Sequence, residues 1–305
     1  MSFSTPEPTP CLSPDDEPAW SSWGAATHGP LPRPDWVITA LGAIDTELGI
    51  LKTGKEADVH LVERAVPDGP AVQMAAKRYR SSEHRMFHRD AGYVEGRRVR
   101  RSRETRAMAR RTDFGRDLLA GQWAGAEFAA LCRLWELGRL WELGRLREPG
   151  RSGDEGRPAD AGEGGAPGAT RPFVPYPVQL RGTEVMLEFI GDPDGTAAPR
   201  LAQTRPGPDL LDDLWHQLLG ALRTMALAGI AHGDLSPYNA LVHHDRLVLI
   251  DLPQVVDIVA NPQGPAFLAR DVRVMSEWFV ARGLPERAVD AARLTTDLLA
   301  DAGLY

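Results

Sequence analysis

The segment His232-Gly233-Asp234-Leu235-Ser236-Pro237-Tyr238-Asn239 sets a carboxylate and a carboxamide five residues apart, and Ile250-Asp251 supplies a second carboxylate soon after. A carboxylate at Asp234 can accept a hydroxyl proton or orient a nucleophile, and the Asn239 amide oxygen can ligate a hard cation such as Mg²⁺. This Asp-to-Asn spacing is that of a phosphoryl-transfer catalytic loop. Ser236, between the two, and His232 join Asp234 and Asp251 as candidate catalytic-loop residues, with His232 reading as a brace for the loop rather than a base. Taken singly, Asn239 could form an Asx turn and Asp251 could merely end a strand. Their relation favours a joint role. The turn centred on Asp245 lies midway between them, so an antiparallel hairpin is expected to bring Asn239 and Asp251 together at its open end as one metal site.

A phosphoryl-transfer site needs a grip on the nucleotide, and the first half of the chain offers one. Thr53-Gly54-Lys55-Glu56-Ala57-Asp58-Val59 falls at a strand–turn–strand, where backbone amides can cover the phosphates of ATP. Gly49 and Gly54-Lys55 nearly match a Walker A loop, but Glu56 stands where Ser or Thr should meet Mg²⁺, and the next segment is strand-like. The Walker reading is rejected. Lys77 ends an apolar strand, where a lysine can pair the α- and β-phosphates. Its expected carboxylate partner is Glu127 on the following helix, with Glu136 a weaker rival. The strand Met186-Leu187-Glu188-Phe189-Ile190 would enter a link between lobes, with Met186, Glu188, Phe189 and Ile190 expected at the nucleotide and backbone from Glu188 to Ile190 facing adenine.

These residues need elements to position them. Gly49 to Val66 reads as a hairpin, 72–77 as a strand, 122–137 as a helix, and 174–180 and 184–190 as two strands. Leu211, Leu214, Leu218, Leu222 and Met225 mark a helix over 210–227 that stops at Gly229. Strands at 241–242 and 247–250 flank His243-His244-Asp245, and helices follow at about 265–281 and 285–301. Strands with one helix, then mostly helices, predict a two-lobed α+β architecture. Residues 1–35 are expected to be a disordered tail, 36–190 an N-lobe and 191–305 a C-lobe. Within the N-lobe, 78–111 should be a basic flexible loop and 148–171 a low-complexity insert. Leu134-Trp-Glu-Leu-Gly-Arg139 is repeated at 140–145, a local duplication without catalytic meaning.

Bulk properties narrow the class. The net charge of −7 argues against a general nucleic-acid binder, yet twelve arginines and no lysine fall between Arg78 and Arg111. Two cysteines, Cys11 and Cys132, give neither a disulfide framework nor a zinc site, which fits a reducing cytoplasm. No secretory leader or membrane-length apolar run is evident.

Together these motifs resemble the RIO family of atypical serine protein kinases, and within it the first (type 1) subfamily, over about 45–282. Residues 53–59 resemble its phosphate loop. Lys77-Arg78-Tyr79-Arg80-Ser81-Ser82 with Phe87-His88-Arg89-Asp90 resembles its strand and flexible loop, and 185–191 its hinge. His232–Asn239 and Ile250-Asp251-Leu252-Pro253-Gln254 resemble its catalytic and metal loops, and Phe267-Leu268-Ala269-Arg270-Asp271 a downstream helix. The resemblance implies a trimmed bilobal kinase fold without an activation segment; no Phe-Gly follows Asp251. It implies ATP with Mg²⁺ (or Mn²⁺), phosphorylation of a protein or of the chain itself, and an ATPase-like cycle, in some members through a phosphoaspartate, here on Asp251. Many relatives act in small-subunit ribosome maturation, and the arginine-rich segment is compatible with a ribosomal or RNA-containing partner. A winged helix, as in the second subfamily, is not expected in residues 1–35. The alternatives are an aminoglycoside- or choline-type small-molecule phosphotransferase, which shares the His-Gly-Asp…Asn loop, and an ATP-binding scaffold with little turnover.

Overall fold

The computed structural model describes residues 19–80, 113–142 and 172–305. Apolar alternation around one glycine turn generates the first hairpin, β2 (Ile44–Thr53) and β3 (Ala57–Ala65). At the turn the Gly54 N–H donates to the Ala57 carbonyl at 3.0 Å, and a Cβ on residue 54 would lie 2.7 Å from that oxygen. Glycine is therefore needed for the turn to close. Strands β4 (Ala71–Tyr79), β5 (Pro177–Arg181) and β6 (Glu184–Glu188) complete the sheet with a short β1 (Thr27–His28). Its order is β1-β5-β6-β4-β3-β2, antiparallel throughout.

Helix α1 (Asp113–Glu142) packs across this sheet. Ala124, Phe128, Leu131 and Leu134 are buried at helical spacing, and Glu127 is buried on the same face. The helix is longer than the expected 122–137 and runs through the first copy of the duplication into the second.

The disordered tail expected over 1–35 is corrected from residue 19 onward; residues 1–18 lie outside the described residues. Trp23 is buried and stacks on His28, β1 pairs with β5, and Asp45 N–H donates to the Ala19 carbonyl. Averaging composition over a Pro- and acid-rich stretch conceals one anchoring indole, and a single buried tryptophan can order a segment. The basic loop expected over 78–111 is corrected at its first residues. Arg78 and Tyr79 belong to β4, and 81–112 lies outside the described residues, as does the 148–171 insert.

The second half is mainly helical, so the α+β expectation describes the fold: a β-sheet part and a helical part. Helix α2 (Pro208–Leu227) buries Leu211, Leu214, Leu218, Leu222 and Met225 and is followed by Gly229 at φ +71°. The chain then forms β7 (Ile230–Ala231), the hairpin β8 (Ala240–His243) and β9 (Arg246–Leu249), and β10 (Val256–Asp257), which pairs with β7. It passes from β10 to α3 (Gly264–Ala281) and α4 (Ala291–Asp301). The last helix starts later than the expected 285 because Asp290 caps it, accepting from Arg293 N–H. Among the described residues no helix is long and apolar enough to cross a membrane.

The hairpin register corrects one expectation. His243 pairs with Arg246 and Ala240 with Leu249, so Ile250, not Asp251, stands opposite Asn239 and donates to its carbonyl at 2.9 Å. The turn has two central residues, His244 and Asp245, at φ 48° and 60°. That is the left-handed pair of a type I′ hairpin, whose centre falls between residues rather than on Asp245.

Candidate active site

Gly229 and β7 deliver residues 232–239 to the junction of the sheet and the helices. One buried carboxylate shapes this loop. Asp271 of α3 accepts from Gly233 N–H at 2.7 Å and Leu235 N–H at 3.0 Å. Burial pushes the Asp271 carboxyl above the usual carboxylate range despite these donors and the nearby His232 and Arg270. Gly233 sits at φ +82°, and a Cβ there would lie 2.4 Å from the Gln254 carbonyl. The loop thus tolerates no side chain at 233. His232 is buried and donates from Nε2 to the Ile250 carbonyl at 3.1 Å, tying the loop to the end of β9. Asp234 is half-exposed, with Arg270 Nη2 at 3.1 Å from its Oδ1. Asn239 donates from Nδ2 to the Asp234 carbonyl at 2.9 Å, which fixes its carboxamide and turns its oxygen away from that bond.

Facing this loop is an ionic triad in which Lys77 and Glu127 are buried and Asp251 is half-buried. Lys77 Nζ lies 2.7 Å from Glu127 Oε1 and 2.7 Å from Asp251 Oδ1. Burial disfavours the ammonium, but the two carboxylates outweigh it and hold the Lys77 pKa above its ordinary value. Asp251 is likewise subject to burial, yet the Lys77 charge, helped by Lys52 and His232, keeps its carboxyl below the usual range. Glu127 also accepts from Tyr79 OH at 2.5 Å and from Leu252 N–H at 3.1 Å. Burial and the Glu127 carboxylate push the Tyr79 phenol far up, so it stays a donor. Asp251 adopts φ +69°, a left-handed conformation uncommon for a residue with a side chain. Glu136, the rival partner, is exposed on α1.

The triad and Asp234 border a cleft of about 600 Å³. Gly54, Lys55, Glu56, Ala57 and Val59 line one wall, Glu188, Phe189 and Ile190 another, and Leu241 and Ile250 lie beneath. Thr53 is adjacent in the chain to lining residues, and His232, Ser236 and Asn239 each stand two positions from one, but none of the four lines the cleft itself. Met186 is a correction. It is buried in the core, with Arg64 Nη2 3.5 Å from its sulfur, and Leu187 faces the cleft instead. Strand alternation requires this, since neighbours in β6 point to opposite faces. In the 188–190 segment, Glu188 N–H is bonded to the Tyr176 carbonyl and the Ile190 carbonyl accepts from Ala198 N–H, which limits the backbone left for a ligand.

Several contributors were not singled out in the sequence. Tyr79 had a usable signal, because two residues beyond Lys77 a strand side chain returns to the same face. Arg270 and Asp271 belong to the 267–271 segment, but nothing local announced their reach to the 232–239 loop. Lys52 and Arg200 also line the cleft. Burial, then the Arg200 charge, lowers the Lys52 pKa.

Residues 169–292 match the model of the RIO domain family. The chain is 25% identical over 270 residues to serine/threonine-protein kinase RIO1 of Saccharomyces cerevisiae, covering 81% of this chain and 47% of that protein. It is 34% identical over 111 residues to RIO-type serine/threonine-protein kinase Rio1 of Haloferax volcanii, covering 36% of this chain and 37% of that one. It is 32% identical over 136 residues to human serine/threonine-protein kinase RIO3, covering 42% of this chain and 26% of that protein. The chain thus spans less than half the length of these relatives. Its homologues include RIO-type serine/threonine kinases bearing both the RIO1 and RIO3 names.

Proposed function

We propose that this chain is an ATP- and Mg²⁺-dependent phosphotransferase, a RIO-type serine protein kinase with Asp234 as its catalytic carboxylate. The observation that carries the reading is Lys77 held at 2.7 Å by both Glu127 and Asp251 at the edge of a cleft that Asp234 also lines. Kinase catalysis requires this lysine–glutamate pair and a metal-binding aspartate together. The strand-end sequence Lys77-Arg78-Tyr79-Arg80-Ser81-Ser82 favours the type 1 subfamily.

The donor chemistry fits the cation. An amide oxygen and a carboxylate oxygen are hard ligands suited to Mg²⁺. Asn239 has its amide nitrogen engaged, and one Asp251 oxygen faces Lys77, leaving an oxygen on each side chain for the metal. Mg²⁺ held there would neutralise the triphosphate.

Lys77 would meet the phosphates while Glu127 keeps it in place. Backbone of the 53–59 turn would cover them, and the 187–190 segment with Leu241 and Ile250 would enclose adenine. Asp234, oriented by Arg270, accepts the proton of a serine hydroxyl. The hydroxyl oxygen bonds to the γ-phosphorus as the bond to ADP breaks. Where water replaces the hydroxyl, the same steps give ATP hydrolysis.

Incubation with γ-labelled ATP and Mg²⁺, comparing wild type with Asp234→Ala and Asp251→Asn, tests the reading. Labelled serine on a protein or on the chain itself, or released phosphate, should fall by ~100-fold or more in both variants. ATP binding without either product would instead indicate a scaffold. Transfer only to an added small alcohol or amine would indicate a small-molecule phosphotransferase.

A further inference from the structure

Among the described residues, one cluster of side chains outside the cleft has the chemistry of a metal site. Asp192, His243 and His244 each place a ligand atom within 4.8 Å of the others. Asp192 Oδ1 lies 3.2 Å from His243 Nε2, and the two imidazole rings are 4.0 Å apart. Consecutive side chains on a strand point to opposite faces, so two adjacent histidines ordinarily diverge. Here His244 takes φ +48° in the hairpin turn, and both rings come together. This is the geometric requirement for two neighbouring residues to share one ion.

The carboxylate comes from a different part of the chain and is also held in place. Asp192 N–H donates to the Thr196 carbonyl at 2.9 Å, and Gly195 N–H donates to the Asp192 carbonyl at 3.0 Å, which makes a tight turn. Val242 N–H donates to the Pro199 carbonyl, so the 191–200 connection is already tied to β8. Little chain entropy remains to be lost on closing a bridge between them.

We infer that Asp192, His243 and His244 bind a divalent transition metal of the Zn²⁺ type, with water completing the coordination. Two imidazoles and one carboxylate suit Zn²⁺, Ni²⁺ or Cu²⁺, whereas Mg²⁺ and Ca²⁺ prefer oxygen alone. The site is distinct from the Asn239 and Asp251 pair. The bound ion would clamp the 191–200 connection to the β8–β9 hairpin, next to Ile190, Ala198 and Leu241, which line the cleft.

The test is calorimetric titration of ZnCl₂ into the tag-free, metal-stripped full chain, with excess Mg²⁺ present to occupy oxygen-only sites. Wild type should bind one equivalent of Zn²⁺. Loss of even an outer-shell partner costs about 10–100-fold in affinity, so Asp192→Asn and His244→Ala should each weaken binding by ~100-fold or more, and a combined His243→Ala/His244→Ala variant should abolish it. Co²⁺ should give a visible absorption band in wild type that the combined variant lacks. Circular dichroism of the variants should match wild type, as these are surface residues. Absence of Zn²⁺ binding by wild type would overturn the inference, as would undiminished binding by any of these variants.

Discussion

The buried Lys77–Glu127 pair at the heart of the triad makes a quantitative prediction. Glu127 is about 1% exposed and accepts from Lys77, Tyr79 and Leu252. Glu127→Ala strips all three donors of their acceptor and leaves the Lys77 charge half-compensated. Breaking a buried ion pair by removing one partner costs about 3–5 kcal/mol. For a domain of this size each kcal/mol lowers the Tm by roughly 2–4 °C, so a fall of about 6–20 °C is expected. Glu127→Gln keeps an acceptor and should lose less. A double-mutant cycle with Lys77→Met and Glu127→Gln, measured by calorimetry or denaturant unfolding, should return a coupling of about 1–3 kcal/mol. The pH dependence adds a second reading. In wild type the Asp251 pKa is depressed, so its stabilisation is present above the ordinary aspartate value and is lost as pH falls. The Lys77 pKa is raised, so its contribution is present below the ordinary lysine value and is lost as pH rises. Between about pH 5 and 9 the triad should therefore contribute a plateau. In Lys77→Met the burial of Asp251 is no longer opposed by the ammonium, its pKa should rise, and stability should decline as pH climbs from about 4 to 7. Additive single variants, within about 0.5 kcal/mol, and a flat profile for Lys77→Met would refute the account.

Two further substitutions probe the frame around the triad. Gly233→Ala places a Cβ 2.4 Å from the Gln254 carbonyl at a φ of +82°, so a loss of about 1–3 kcal/mol with a marked drop in turnover is expected in paired unfolding and ATPase assays. Trp23→Ala removes an indole that is 7% exposed and should cost about 3–5 kcal/mol in urea unfolding; an unchanged midpoint would detach residues 19–35 from the fold.

The elements of the second half were legible because their apolar residues recur with one period over long stretches. Leu211 to Met225 could belong only to a one-sided helix, and the stop at Gly229 needed no tertiary information. The start of the chain was illegible for the opposite reason. Trp23 and His28 act through long-range pairing with β5, and the surrounding prolines and acids dominate any local average. Met186 shows the limit of reading a motif without its phase. The strand was placed well, but which of its residues face the cleft depends on a register fixed by β4, where Ala76 pairs with Met186 and Ala75 with Leu187.

Asp251 carries the same lesson into the chemistry. Mirror symmetry about the hairpin turn was expected to set it opposite Asn239, yet the two-residue turn puts Ile250 there. The carboxylate reaches Lys77 because the chain leaves the strand pattern at residue 251, where φ is +69°. A left-handed aspartate costs about 1–3 kcal/mol and persists only if its surroundings hold it. They do so on both sides: Lys77 pairs with its side chain, and Leu252 N–H, the next donor along, is fixed by Glu127. The strained residue and the buried glutamate are thus one structure, closed through Lys77. A sequence can supply the three residue types at plausible positions, but the backbone reversal that joins them is visible only in three dimensions.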